Sequence, residues 1–245
     1  MKLNCDLGES FGSWSMGEDE AIIPLIDMAN IACGFHASDP LVMQKTVEFA
    51  KKHSVMIGAH PGYPDLVGFG RRSMKCSSEE IEAFVVYQVG ALSGVCKASG
   101  AKVEYVKPHG ALYNDMMKDE NIMRAILGAI SKIDKNLKLM ILSTTKNSYY
   151  EKLAYEFRVE LIYEVFADRA YTNDGFLVPR TQSGAVIHDL DTVLKRIDLL
   201  KSEGMLVTID GSKIELKADS MCVHGDNAEA VKFVKALRDY IVAGD

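Results

Sequence analysis

The sequence predicts an α/β fold wound around a parallel sheet, and three observations predict it. Seven short apolar runs alternate with longer segments of helical period, the pattern of strands joined by helical crossovers. Several of the runs are apolar at successive positions rather than alternate ones, as expected where helices cover both faces of a strand. The chain has 245 residues, an ordinary length for one α/β barrel. Seven core strands suggest a parallel β/α barrel with one unit fewer than the eight-stranded form. An open doubly wound sheet is the alternative, because strand order is not written in the sequence. No linker, repeat or low-complexity stretch interrupts residues 1–245, so one domain is the economical expectation.

The strand candidates, in order, are Lys2–Asp6, Met28–Cys33, Val55–Ala59, Val103–Lys107, Lys138–Ser143, Val159–Val165 and Ser220–His224. Between them, Asp39-Pro40 supplies an N-cap and a first-turn proline for a helix running to about Lys52. Ser77-Ser78-Glu79-Glu80 opens a long helix to about Ala98, closed near Gly100. Further helices are expected at Asp119–Ile133, Lys146–Phe157, Leu190–Ser202 and Asn227–Val242. Met205–Ile209 and Lys213–Leu216 flank Asp210-Gly211, a hairpin signal that forms an excursion before the last strand.

Composition narrows the function classes. A net charge of −6, with both signs interspersed and no basic stripe, argues against nucleic acid as partner. No apolar run approaches a membrane span. The N-terminus enters structure at once and lacks a signal-peptide core, so the cytoplasm is the expected address. Five cysteines without a C-x-x-C pair fit neither a disulfide framework nor a zinc ribbon. Cys5, Cys33 and Cys222 lie inside apolar runs and are expected to be buried thiols.

The polar residues fall in a positional pattern. Asn4, Asp6 and Glu9 lie at or just after the first strand; His36, His60, His109 and His224 each close or follow a different strand; Lys107 sits beside His109, and Glu164 and Asp168 lie at the sixth. In parallel α/β folds the C-terminal strand ends share one face, and active sites are built there. A lone histidine in that position is more often structural; four on separate strands point to a shared site. His53, at a helix C-terminus, and His188, before a helix, serve as controls. Imidazoles with carboxylates supply general acid and base, or bind a divalent metal, for which Asp6, His36 and His60 are the candidate set. The metal-free reading has His60 or His109 shuttling protons, with Asp6 or Glu9 orienting an imidazole or water.

Cations accompany them. Gly68-Phe69-Gly70-Arg71-Arg72 carries paired guanidinium groups, and Arg169 and Arg180 follow the sixth strand. Such groups suit a carboxylate or phosphate, though solvated surface charge accounts for about half of residues of this kind. Neither a phosphate-cradling G-x-x-x-x-G-K-[ST] loop nor a G-x-S-x-G elbow is present.

These residues also carry a resemblance. Asn4-Cys5-Asp6-Leu7-Gly8-Glu9-Ser10-Phe11-Gly12, Asn30-Ile31-Ala32-Cys33-Gly34-Phe35-His36 and Gly58-Ala59-His60-Pro61-Gly62-Tyr63-Pro64-Asp65 are similar to motifs of the LamB/YcsF family. So are Gly68-Phe69-Gly70-Arg71-Arg72, Lys107-Pro108-His109-Gly110-Ala111-Leu112-Tyr113-Asn114, Phe166-Ala167-Asp168-Arg169-Ala170-Tyr171 and Val223-His224-Gly225-Asp226, all in family order. The resemblance implies a seven-stranded β/α barrel like that of polysaccharide deacetylases and related glycoside hydrolases. It also implies ATP-coupled opening of 5-oxoproline to glutamate, as the A component of an oxoprolinase that needs two further subunits, B and C. Ser38 departs from the pattern, standing where glycine is expected.

Under that implication Asp6, Glu9, His36, His60 and His109 are the catalytic candidates, with Asp6 and His60 activating water and His109 assisting proton transfer. Asn4, Arg71, Arg72, Lys107, Asn114, Asp168, Arg169 and His224 are candidates for holding substrate or phosphate. The competing readings are a stand-alone metal-dependent amidase or deacetylase, and a subunit that binds substrate without catalysis.

Overall fold

Backbone pairing closes the sheet on itself. In chain order the elements are β1 (Lys2–Leu7), α1 (Asp19–Ile22), β2 (Met28–Ala32), α2 (Pro40–Lys52), β3 (Met56–His60), α3 (Ser78–Ala98), β4 (Tyr105–Val106), α4 (Gly110–Met116), α5 (Glu120–Ile133), β5 (Lys138–Leu142), α6 (Asn147–Phe157), β6 (Leu161–Phe166), α7 (Leu190–Glu203), β7 (Met205–Val207), β8 (Lys213–Glu215), β9 (Ser220–Val223) and α8 (Ala228–Ala243). The computed structural model describes residues 1–223 and 228–243; His224 lies outside them. The strands run β1-β2-β3-β4-β5-β6-β9 in a closed barrel, and every neighbouring pair is parallel. The seam is the β1–β9 ladder, which pairs Asn4 with Cys222. That ladder decides for the barrel over the open sheet.

Local chemistry explains the helix boundaries. The Asp39 carboxylate accepts from the N–H groups of Leu41 and Val42 and starts α2 ahead of Pro40. Ser77 and Glu80 form a reciprocal capping box on α3. By length and composition α3 could cross a membrane. Here it lies on the barrel, burying Ile81, Val85, Val89, Leu92 and Cys96 at helical spacing. Gly204, with φ 69°, closes α7, and β7 and β8 form the expected hairpin around Asp210-Gly211. Two elements go beyond the sequence pattern: the short α1 with its following turn at Ile23–Leu25, and α4, which starts immediately after His109.

Inside the barrel, one rung of the ladder sets the stage for the site. Asp6 pairs with Asn30, Asn30 with Gly58, and Gly58 with Tyr105. A Cβ on Gly58 would come within 2.2 Å of the Tyr105 ring, so only glycine leaves the ring its place. Met28, Tyr105 and Met140 form a separate buried cluster at this level. The groups above it are polar.

Candidate active site

The strand-end rule holds for the described residues. Asp6 lies in β1, Glu9 just beyond it, His36 after β2, and His60 ends β3; Lys107 follows β4, and His109 is the N-cap residue of α4. Asp6, Glu9, His60, Arg71, Lys107, His109, Asn114 and Arg169 line one cavity of about 470 Å³. His36 stands behind the wall, fully buried, its ring stacked on that of His109 with centroids 3.7 Å apart.

A polar column runs from the barrel core to this cavity. Asn4 donates to Ser220 Oγ at 2.7 Å and accepts from Asn30 Nδ2 at 2.8 Å. Asn30 also donates to Asp6 Oδ1 at 2.8 Å and accepts from the Tyr105 hydroxyl at 2.6 Å. Lys107 Nζ lies 3.0 Å from Asp6 Oδ1 and 2.7 Å from Glu164 Oε1, and the Tyr113 hydroxyl donates to Glu164 Oε2 at 2.9 Å. A buried ammonium is tolerable only with such partners. Burial opposes the Lys107 charge, but Asp6, Cys222 and Glu164 hold its pKa well above the ordinary lysine value. Burial likewise opposes the Asp6 charge, yet His60 and Lys107 hold its carboxyl well below the usual range. Burial, reinforced by the His109 and His60 imidazoles, pushes the His36 pKa well below the histidine norm.

The loops after the strands are built to admit these rings. A Cβ on Gly62 would lie 2.8 Å from His36 Nδ1, and Gln88 pins that glycine's backbone by bonding both its N–H and its carbonyl. Gly70 adopts φ +62°, and a Cβ there would press on both His36 and His109.

Other expected residues are placed differently. Arg72 is largely exposed and grips Asp65, which bridges back to Gly68 N; it is not in the cavity wall. Arg169 lines the cavity, but its guanidinium donates to the carbonyls of Val178 (2.7 Å) and Ala185 (3.2 Å), bracing the segment between β6 and α7. Asp168 lines a second cavity of about 330 Å³ with His188 and Cys222. Arg71 spans the main cavity wall and lies over the Phe69 ring at 5.0 Å. Arg180 borders both cavities. Glu164, Tyr113, Asn30 and Tyr105 complete the polar column and are not among the expected catalytic or binding residues. Glu164 is visible in the sequence as a charged residue at the sixth strand, and an asparagine inside the apolar run Met28–Ala32 is the signal that could have found Asn30.

Glu9, His36, His60 and His109 bring one ligand atom each within 4.8 Å of one another, close enough together to hold a metal ion. This group differs from the expected Asp6, His36 and His60 set. The planes of His36 and His109 are parallel to within 1°, so no single position lies in the plane of both rings. One imidazole would have to leave the stack before the four could share an ion.

The LamB/YcsF family model matches residues 1–245. The A subunit of the Vibrio campbellii 5-oxoprolinase is 50% identical over 244 residues, covering 100% of this chain and 96% of that relative. The corresponding 5-oxoprolinase chain of Chromohalobacter salexigens, also an A subunit, is 52% identical over 237 residues, covering 97% of this chain and 95% of that relative. The crystal structure of the lactam utilization protein from Thermus thermophilus superposes with a TM-score of 0.92 at 40% identity, covering 100% of this chain and 96% of that one. Along its whole length, and in its seven-stranded barrel, the chain belongs to the LamB/YcsF family.

Proposed function

We propose that this chain is the A component of an ATP-dependent 5-oxoprolinase, a hydrolase that opens the cyclic amide of 5-oxoproline to glutamate. In this reading it works in the cytoplasm with two further subunits, B and C. The names of its relatives support the reading. The observation that carries it is the gathering of Asp6, Glu9, His60, His109 and Lys107 on one cavity sized for a small molecule.

A five-membered lactam resists water attack, and hydrolysis needs an activated nucleophile, a stabilised oxyanion and a protonated leaving nitrogen. Phosphorylation of the lactam oxygen from ATP makes the ring carbon electrophilic and the intermediate anionic. Arg71 and Arg180 on the cavity wall suit that anion. Lys107, bound to Asp6 and Glu164, gives a positive potential at the floor. Asp6 is engaged by Lys107 at 3.0 Å and lies 3.4 Å from His60, so it acts as their counter-ion and Glu9 takes the proton of the attacking water.

The test is ATP-dependent glutamate release from 5-oxoproline, measured with this chain alone and then with both partner subunits. Activity is expected only in the reconstituted complex, falling by about 10²–10⁴-fold in His60→Ala and His109→Ala, the usual contribution of general acid–base groups. Near-wild-type turnover in both variants would refute their roles. A second reading, a metal-dependent amidase, is favoured only by the proximity of Glu9 and the three imidazoles. Glutamate release without ATP, abolished by chelation, would establish it instead.

A further inference from the structure

We infer that Arg169 and Arg180 form a carboxylate-recognition site on the cavity wall, selecting a lactam that bears an acid group, while Arg71 faces the lactam oxygen. The identity of that lactam rests on the oxoprolinase reading; the cationic pair is a feature of the wall itself.

Arg169 is built into the fold and still has hydrogen bonds to give. Only 7% of it is exposed. Its Nε donates to Ala185 O and its Nη2 to Val178 O, which fixes the planar group on the cavity wall. Its Nη1 bonds to none of the described residues, so part of the donor fork remains to be used. Arg180 lines the same cavity, and its guanidinium makes no hydrogen bond or ion pair with a described residue. The two groups feel one another: burial, then the Arg180 charge, push the Arg169 pKa below the ordinary arginine value. Asp168, whose charge Arg169 also feels, lines the second cavity. Two neighbouring cations on one wall repel, and a carboxylate accepting from both relieves the repulsion.

The rest of the cavity directs an acid group there. On the β1 side, the Asp6 and Glu9 carboxylates repel a third. Arg71 stands with the imidazoles: its guanidinium lies 5.0 Å over the Phe69 ring, whose centroid is 5.1 Å from that of His109. In the ring order β1-β2-β3-β4-β5-β6-β9, the loop after β3 that carries Arg71 lies across the mouth from the segment after β6. In 5-oxoproline the carbonyl carbon and the carbon bearing the carboxylate flank the ring nitrogen, so their substituents diverge. With the carbonyl carbon toward Glu9 and the imidazoles, the carboxylate points to Arg169 and Arg180.

Beside the pair the wall is apolar. Phe166, Leu177, Val178 and Pro179 line it, a surface suited to the two ring methylenes. Arg169, Val178, Pro179 and Arg180 belong to one irregular segment between β6 and α7, which therefore selects both charge and shape. The carboxylate keeps its charge throughout ring opening, so its binding energy is the same before and in the transition state. Such uniform binding appears in KM and not in kcat. Arg71 differs, because the negative charge on the lactam oxygen or its phosphoryl group develops only after binding.

Two measurements test the pair. In the isolated chain, calorimetric titration with cyclopentanecarboxylate, which has the carboxylate and no lactam, reads the site without turnover. Arg180→Gln should weaken its binding about tenfold or more, the effect of losing a hydrogen bond to a charged group, and Arg180→Lys should recover part of the loss. An unchanged affinity in Arg180→Gln, or no binding to the wild type, would overturn the proposal. In the reconstituted complex, Arg180→Gln should raise KM for 5-oxoproline about 10–100-fold with kcat within about threefold, whereas Arg71→Gln should act mainly on kcat. A lowered kcat with unchanged KM in Arg180→Gln, or the same KM effect from both substitutions, would overturn the division between the two ends. If the wild-type complex releases no glutamate, the oxoprolinase reading fails, while the titration still decides whether the pair holds a carboxylate.

Discussion

Ser38 is the residue at which this chain departs from the glycine expected of its family, and the backbone shows the consequence. It is buried and adopts φ 78°, a region that a Cβ disfavours. Its hydroxyl gains only a 3.4 Å contact with Asp39 O. Ser38→Gly should therefore raise stability by about 1 kcal/mol, the order of the left-handed penalty, seen as a higher urea midpoint with unchanged slope. An unchanged or lower midpoint would mean that the packing of this side chain outweighs its strain. At this scale the sequence exposes His36, His60, His109 and Lys107 through their positions after apolar runs. It conceals Asn30 and Tyr105, because a polar side chain pointing into a barrel looks like an ordinary interruption of a strand until the rung pairing Asp6, Asn30, Gly58 and Tyr105 is known.

Among the elements, strands and long helices are legible to within about two residues because their signals are local: Asp39-Pro40 for α2, the Ser77 capping box for α3, Asp210-Gly211 for the hairpin. The expected strand over 103–107 survives as only Tyr105–Val106, although Glu104 N and Lys107 N still bond to the carbonyls of Ile57 and Ala59 on β3. α4 leaves no such signal, because its first residue, Gly110, has φ +54° and packs its backbone on Gly70, a contact set by tertiary structure. The segment from 167 to 189 has no periodic pattern, and it is irregular, held by two isolated bridges and the Arg169 guanidinium. Arg169→Met should leave the Val178 and Ala185 carbonyls without that donor, at a local cost of roughly 1–2 kcal/mol. Trypsin should then cut at Arg180 about tenfold faster, since opening of the segment, not of the barrel, governs the rate. Cleavage at the wild-type rate would show that the bridges and the remaining bonds, such as Arg196 to Arg169 O, hold it without the Arg169 guanidinium.

For the whole molecule, the seven-stranded barrel encloses a column of polar groups beside its apolar core. Lys107 is the hub: it bonds Asp6 from β1 and Glu164 from β6, tying separate walls through one ammonium. Replacing it with methionine would conserve most of the volume but strand two carboxylates in a site made for a cation. The expected loss is about 3–5 kcal/mol, the cost of breaking a buried pair by removing one partner. Adding Glu164→Gln to Lys107→Met should recover part of it, because the amide carries no charge and can still accept the Tyr113 hydroxyl. Chemical denaturation of the wild type, both single variants and the double variant closes the cycle. A coupling of about 1 kcal/mol or more would place Lys107 and Glu164 among the groups that hold the barrel together as well as those that set the potential beneath His60. Additive losses would restrict the pair to electrostatics at the cavity floor, with the closed ladder of β1 and β9 sufficient for the fold.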